Sequence, residues 1–281
     1  MLAAAATLLA AASVFGGAAP PEPPPGTPPE RAPVEPSPCL PPYARVLRCP
    51  DLVMRRPHGL YAQLAGRRTL LRAGNSIDNV GRGPVELHGT RIGPRFMRAR
   101  QRIYTRKGKP RRVGVRTGGR LQFKLAHQGL RWWKWYNAAR FELWRVDGAG
   151  RRTRRVRVGP KVAYCLRDLR RTRPRVPRSP ATAVYPACDT YPARERITVG
   201  TSPGWSDIYP PTYPEQYIDV TGLRGCFAYV HIADPRNVIY EASEDNNEAQ
   251  VIVRLPYRSA TRRLGCRGPD RGRPLYPWEG Y

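Results

Sequence analysis

The sequence predicts an all-β domain, a β-sandwich of short strands with long, disulfide-tied loops. Three observations predict it. No stretch keeps a 3.6-residue apolar period over helical length. Short apolar runs alternate with polar residues between glycine, proline, aspartate and asparagine, as half-buried strands between turns do. Six cysteines occur without a C-x-x-C pair, which suits a disulfide framework rather than a zinc or redox motif.

Along the chain, residues 1–19 form an apolar, alanine-rich start without a basic n-region. Gly17, Ala18 and Ala19 suit a signal peptidase site, so the segment reads first as a signal peptide and second as an uncleaved anchor. No other membrane span is expected. Residues 20–42 are dominated by proline and read as an extended linker. Residues 43–266 are the expected domain, with folding beginning near Cys39, and 267–281 read as a loose tail. Strand candidates run from Leu70 to Leu71, Val85 to Leu87, Ala139 to Val146, Val162 to Leu166, Gln216 to Val220, Cys226 to Ile232 and Ala249 to Leu255. The last two read as an antiparallel pair joined by the turn-rich Glu241–Asn247 stretch. Arg167 to Tyr191 is a long excursion rich in proline and arginine, of a length that is uncommon unless functional or tied. Six cysteines allow about 15 full pairings. Local spacing favours Cys39–Cys49, Cys165–Cys188 and Cys226–Cys266.

The formal net charge is +28, and only five of the 49 basic residues are lysine: Lys107, Lys109, Lys124, Lys134 and Lys161. A field of this strength attracts polyanions, so acidic polymers or extracellular matrix-like partners are expected. Nucleic acid is expected to bind only non-specifically, because no RNP, zinc or helix-turn-helix motif is present. The alternative is a solvated surface shaped by arginine-biased codon usage. The chain has four histidines, His58, His88, His127 and His231. Trp132, Trp133, Trp135 and Trp144 form either a stacking surface or core filling.

Several blocks, in order, resemble the lysyl oxidase family, especially its compact bacterial type. They are Asp51-Leu52-Val53, Arg131 to Leu143, Lys161 to Asp168, Ser202 to Tyr209, Gln216 to Gly222, and the Glu241–Asn247 turn. The resemblance spans roughly Cys49 to Leu255. It implies copper- and quinone-dependent oxidative deamination of peptidyl lysine, with a lysine tyrosylquinone built from Lys161 and Tyr209. It also implies Asp207 as the base that removes a substrate proton. Family members hold copper on a strand of the form H-x-H-W-H-F-x-x-F-A-R-Y-E-L, in which alternate histidines share one face. Here Ala139-Arg140-Phe141-Glu142-Leu143 keeps the tail of that motif, while Trp132 and Lys134 stand in two histidine positions. His127 is the residual copper ligand, if Gln128-Gly129-Leu130 is an insertion. In animal members a similar acidic turn holds calcium, which implies Asp51, Glu241, Asn246 and Asn247 as ligands here. The resulting expectation is a secreted, lysyl-oxidase-like protein with impaired copper chemistry that serves as an arginine-rich binding module. The alternative is an active copper-dependent protein-lysine amine oxidase with a non-standard metal site.

Overall fold

A computed structural model describes residues 37–107, 110–112, 119–125 and 129–274. The expected signal segment, most of the linker, His127 and the end of the tail lie outside the described residues. No α-helix occurs among the described residues, so none is long and apolar enough to cross a membrane.

The strands are β1 (Leu47–Arg48), β2 (Leu52–Met54), β3 (His58–Ala65), β4 (Arg68–Asn79), β5 (Val85–Gly93), β6 (Phe96–Thr105), β7 (Pro110–Arg112), β8 (Arg120–Leu125) and β9 (Arg131–Tyr136), followed by β10 (Ala139–Val146), β11 (Arg152–Val158), β12 (Ala163–Tyr164), β13 (Arg196–Thr201), β14 (Ser206–Tyr209), β15 (Tyr217–Asp219), β16 (Gly225–Ala233) and β17 (Glu248–Leu255). They form antiparallel sheets in a sandwich-like, all-β fold. An eight-stranded sheet runs β12-β9-β8-β6-β5-β13, with β1 and β7 paired to β6. A four-stranded sheet runs β11-β10-β16-β17. In a five-stranded sheet, β4 is flanked by β14 and β15 and also pairs β2 and β3.

Alternation explains why these segments are strands. In β6, Met97, Ala99, Gln101 and Ile103 are buried, while Arg98 and Arg100 between them are exposed. Leu71 and Ile77 of β4, Trp133 and Trp135 of β9, Phe141 of β10 and Phe227 of β16 share one core. A second cluster, Val146, Ala228, Val230, Ile252 and Cys266, covers part of the four-stranded sheet. Strand β10 has the expected bounds, and β16 and β17 pair antiparallel from Gly225↔Leu255 to Ile232↔Glu248. The Leu70–Leu71 candidate extends to the twelve-residue β4.

All three favoured disulfides are present: Cys39–Cys49, Cys165–Cys188 and Cys226–Cys266. They are compatible with an extracellular protein. Cys165–Cys188 ties off the arginine- and proline-rich excursion. Asp168 fixes it further, accepting hydrogen bonds from the backbone N–H groups of Val184 and Ser202 and from the Ser202 hydroxyl. Residues 267–274, read from sequence as loose, lie against the fold. Arg271 exchanges backbone hydrogen bonds with Gln250, and Asp270 pairs with Arg262 at 3.0 Å.

Candidate functional site

Strand β14 carries two of the residues singled out from sequence. Its Ser-Pro-Gly lead-in requires glycine. Gly204 has φ +78°, and a Cβ there would lie 2.4 Å from the Arg173 carbonyl oxygen. Trp205 Nε1 donates to Pro180 O at 3.0 Å and anchors the turn. The strand then pairs with β4 from Ser206↔Asp78 to Tyr209↔Asn75. Asp207 and Tyr209, two residues apart, share a face.

Lys161 meets them from the lead-in to β12. It is 2 % exposed. Its Nζ lies 4.1 Å from the Tyr209 ring centroid and 4.6 Å from that of Tyr164. Tyr209 Oη accepts the Cys165 backbone N–H at 2.9 Å, which orients the ring. Strand β12 pairs with β9 through Ala163↔Tyr136 and Tyr164↔Trp135. The resemblance's quinone pair and its metal strand are therefore neighbours.

Burial pushes the Lys161 amine down to about 7, helped by the Lys134 charge. Burial likewise lowers Lys134 to about 8, and its Nζ donates to Leu125 O at 3.1 Å. Asp207 is 1 % exposed, and burial raises it to about 8 against the pull of Arg167, Lys161 and a hydrogen bond with the Tyr209 side chain. A small cleft lies over this group, walled by Leu125, Trp132, Lys134, Tyr213, Pro214 and Glu215. Tyr213 and Glu215, in the loop between β14 and β15, were not singled out by sequence reasoning.

The described residues do not fit copper. The indole of Trp132 offers no ligand atom. Lys134 brings an ammonium, bonded to a carbonyl, where a neutral imidazole would be needed. His231 is fully buried, stacked on Phe141 at 3.7 Å, and His88 is held by Glu86. Among the described residues, no three His, Cys, Asp or Glu side chains make a metal group by themselves.

The acidic turn fits a hard cation better, once amide oxygens join the carboxylates. Asn246 Nδ2 donates to Asp51 Oδ1 at 2.8 Å, and Asn247 Nδ2 to Glu241 Oε1 at 2.7 Å and Glu244 Oε2 at 3.2 Å. All four residues named from sequence are thus together. Asp234 and Glu244, which sequence reasoning passed over, join them. Burial, reinforced by mutual repulsion, raises Glu241 far above its usual range and Glu244 to about 7; burial raises Asp234 to about 7. Asp234 Oδ1, Asn246 Oδ1 and Asn247 Oδ1 are buried without a partner, as oxygens short of a cation would be.

A third feature lies on the eight-stranded sheet. Register places Arg196 opposite Thr90, Thr90 opposite Arg98, and Arg98 opposite Arg120. The row crosses four strands, about 14 Å at the usual strand spacing. Arg100 lies two residues along on the same face. All four arginines are exposed, and none has an ion-pair or hydrogen-bond partner among the described residues. Gln122↔Lys134 is the pair two residues along β8 from Arg120 on this face, so the row leads toward the cleft.

No protein-family model matches the chain, and no curated protein matches it.

Proposed function

We propose that the chain is a secreted, lysyl-oxidase-like binding module that holds anionic polysaccharides on its arginine face and no longer runs copper chemistry. The carrying observation is the row Arg196, Arg98 and Arg120 with Arg100 beside it. Arg98 and Arg120 are like charges directly opposite each other, an arrangement that costs stability in a sheet. An anionic chain laid across the strands offsets that repulsion. The disulfides and the signal-like start favour an extracellular glycan over nucleic acid.

Heparin chromatography tests this reading. Arg98→Glu with Arg120→Glu should elute at clearly lower salt than the parent chain. Arg154→Glu with Arg157→Glu on the edge strand β11 changes net charge equally and should shift elution less. Equal shifts would leave only diffuse charge. Tighter binding to single-stranded DNA than to heparin would transfer the face to nucleic acid.

The same reading gives the acidic turn a calcium ion held by Asp51, Glu241, Asn246 and Asn247, with Asp234 beside them, as a brace between the β1–β2 region and the β16–β17 connection. One observation favours a second reading, an active copper-dependent amine oxidase acting on peptidyl lysine with Asp207 as base: the Lys161 Nζ sits 4.1 Å over the Tyr209 ring, next to the atoms a quinone cross-link would join. A Lys161–Tyr209 cross-link after incubation with copper would establish it.

A further inference from the structure

We propose that Glu86, His88 and Thr198 form an acyl-transfer triad that cleaves esters carried by the anionic ligand of the arginine face. The substrate assignment rests on the reading that this face holds anions, whereas the triad stands on its own geometry.

Strand register builds the triad. Across β13, β5 and β6, Thr198 lies opposite His88, and His88 opposite Arg100. Glu86 lies two residues before His88 on the same face of β5. His88 Nε2 lies 2.5 Å from Glu86 Oε1, and His88 Nδ1 lies 3.3 Å from the Thr198 hydroxyl. A carboxylate, an imidazole and a hydroxyl linked in that order make an activated nucleophile. Exposure rises along the same order: Glu86 is buried, His88 half-buried and Thr198 exposed, on a strand at the edge of its sheet. The orienting acid is therefore shielded, while the hydroxyl is open to a substrate from solution. Glu86 Oε2 accepts the hydroxyls of Tyr104 at 2.8 Å and Tyr185 at 2.5 Å. Burial opposes the Glu86 charge, yet hydrogen bonds from His88, Tyr185 and Tyr104 hold the carboxyl below its usual range. An ionised carboxylate accepts from the Nε2–H of His88, which leaves the Nδ1 lone pair facing Thr198. The exposed Arg100 flanks His88, and Arg98 and Arg196 lie in the next row. Their guanidinium groups supply positive charge for an anionic substrate and for a developing oxyanion.

The chemistry needs only water. The Thr198 oxygen attacks the ester carbonyl carbon as its proton passes to His88 Nδ1. The tetrahedral intermediate collapses, the carbon–oxygen bond to the leaving alcohol breaks, and His88 gives that alcohol the proton. Water then attacks the acyl group on Thr198 and delivers a proton to His88, which returns it to the Thr198 oxygen as the acid leaves. One ester and one water become one alcohol and one acid.

The full chain is incubated at neutral pH with 4-acetoxybenzoate, an anionic ester, or with its neutral methyl ester. Release of the phenol is followed, and the protein is acid-quenched and peptide-mapped. The anionic ester should react about tenfold faster than the neutral one, with acetyl recovered on Thr198, and Arg100→Ala should narrow that gap. Thr198→Val and His88→Gln should each slow turnover by about a hundredfold. Thr198→Ser, which keeps the hydroxyl, should retain it. Turnover undiminished in Thr198→Val or in His88→Gln, or no acetyl on Thr198, overturns the proposal. Equal rates on the two esters overturn its substrate assignment. Acetyl on Thr198 together with heparin elution unmoved by Arg98→Glu and Arg120→Glu overturns the reading of the face and supports the triad.

Discussion

Lys161, Lys134 and Asp207 show what burial does to a charge. The two lysines are lowered to about 7 and about 8 from an ordinary 10.5. Below the folded values both folded and unfolded chains hold these protons, and burying the charge costs stability. As pH rises toward 10.5 the unfolded chain holds more protons than the folded one, so stability rises with pH on their account. Asp207, raised to about 8, works in the opposite sense, its contribution falling from about pH 4 to 8. Lys161→Met should therefore flatten the stability increase between about pH 8 and 10, read as thermal midpoints across that range. An unchanged slope would mean that Lys161 is not buried as described. Restoring two imidazoles with Trp132→His and Lys134→His should raise copper affinity. Isothermal titration with Cu(II) checks this, and no gain would show that these positions do not face a metal pocket.

The acidic turn and the tied excursion behave as elements. Glu241, Glu244 and Asp234 all have raised values. The folded turn thus holds protons that the unfolded chain has released, and its contribution falls as pH rises from about 4 to 7. Calcium should remove that fall and raise the midpoint at pH 7.5 but not at pH 4.5. Equal midpoints with calcium and with chelator at pH 7.5 would count against a cation there. Removing Cys165–Cys188, which spans 23 residues, with Cys165→Ser and Cys188→Ser should cost about 2–4 kcal/mol in denaturant unfolding. The sequence shows these elements unequally. Strands β10, β16 and β17 are legible because their apolar alternation is dense, and the disulfides because each closes a local loop. Strand β6 is not. Its alternation from Met97 to Ile103 is regular, but arginines at every second position hide it as a charge run. The Lys161–Tyr209 contact is legible only through motif resemblance, because the two residues lie 48 positions apart, next to strands β12 and β14 that pair in different sheets, with β9 and β4. Asp234 and Glu244 look like turn residues until burial is known.

For the whole molecule, the net charge of +28 predicts attraction to polyanions but not where they bind. The arginine row depends on register among β13, β5, β6 and β8, which no local pattern encodes. This arrangement sets stability against binding. Arg98→Glu would face Arg120 as an opposite charge and should stabilise the fold by up to about 1 kcal/mol, while lowering the salt at which heparin releases the protein. A destabilised variant with unchanged heparin elution would remove the row from the account. The central claim is the proposal about the cleft: the frame keeps Lys161 against Tyr209, the strand beside them carries Trp132 and Lys134, and we propose on that ground that copper does not settle and the two side chains stay separate. Peptide mass mapping of the full chain after aerobic incubation with Cu(II), with the visible spectrum recorded, tests it most directly. The account predicts that Lys161 and Tyr209 are recovered in separate, unmodified peptides without a quinone band, whereas a single cross-linked Lys161–Tyr209 peptide with such a band would contradict it.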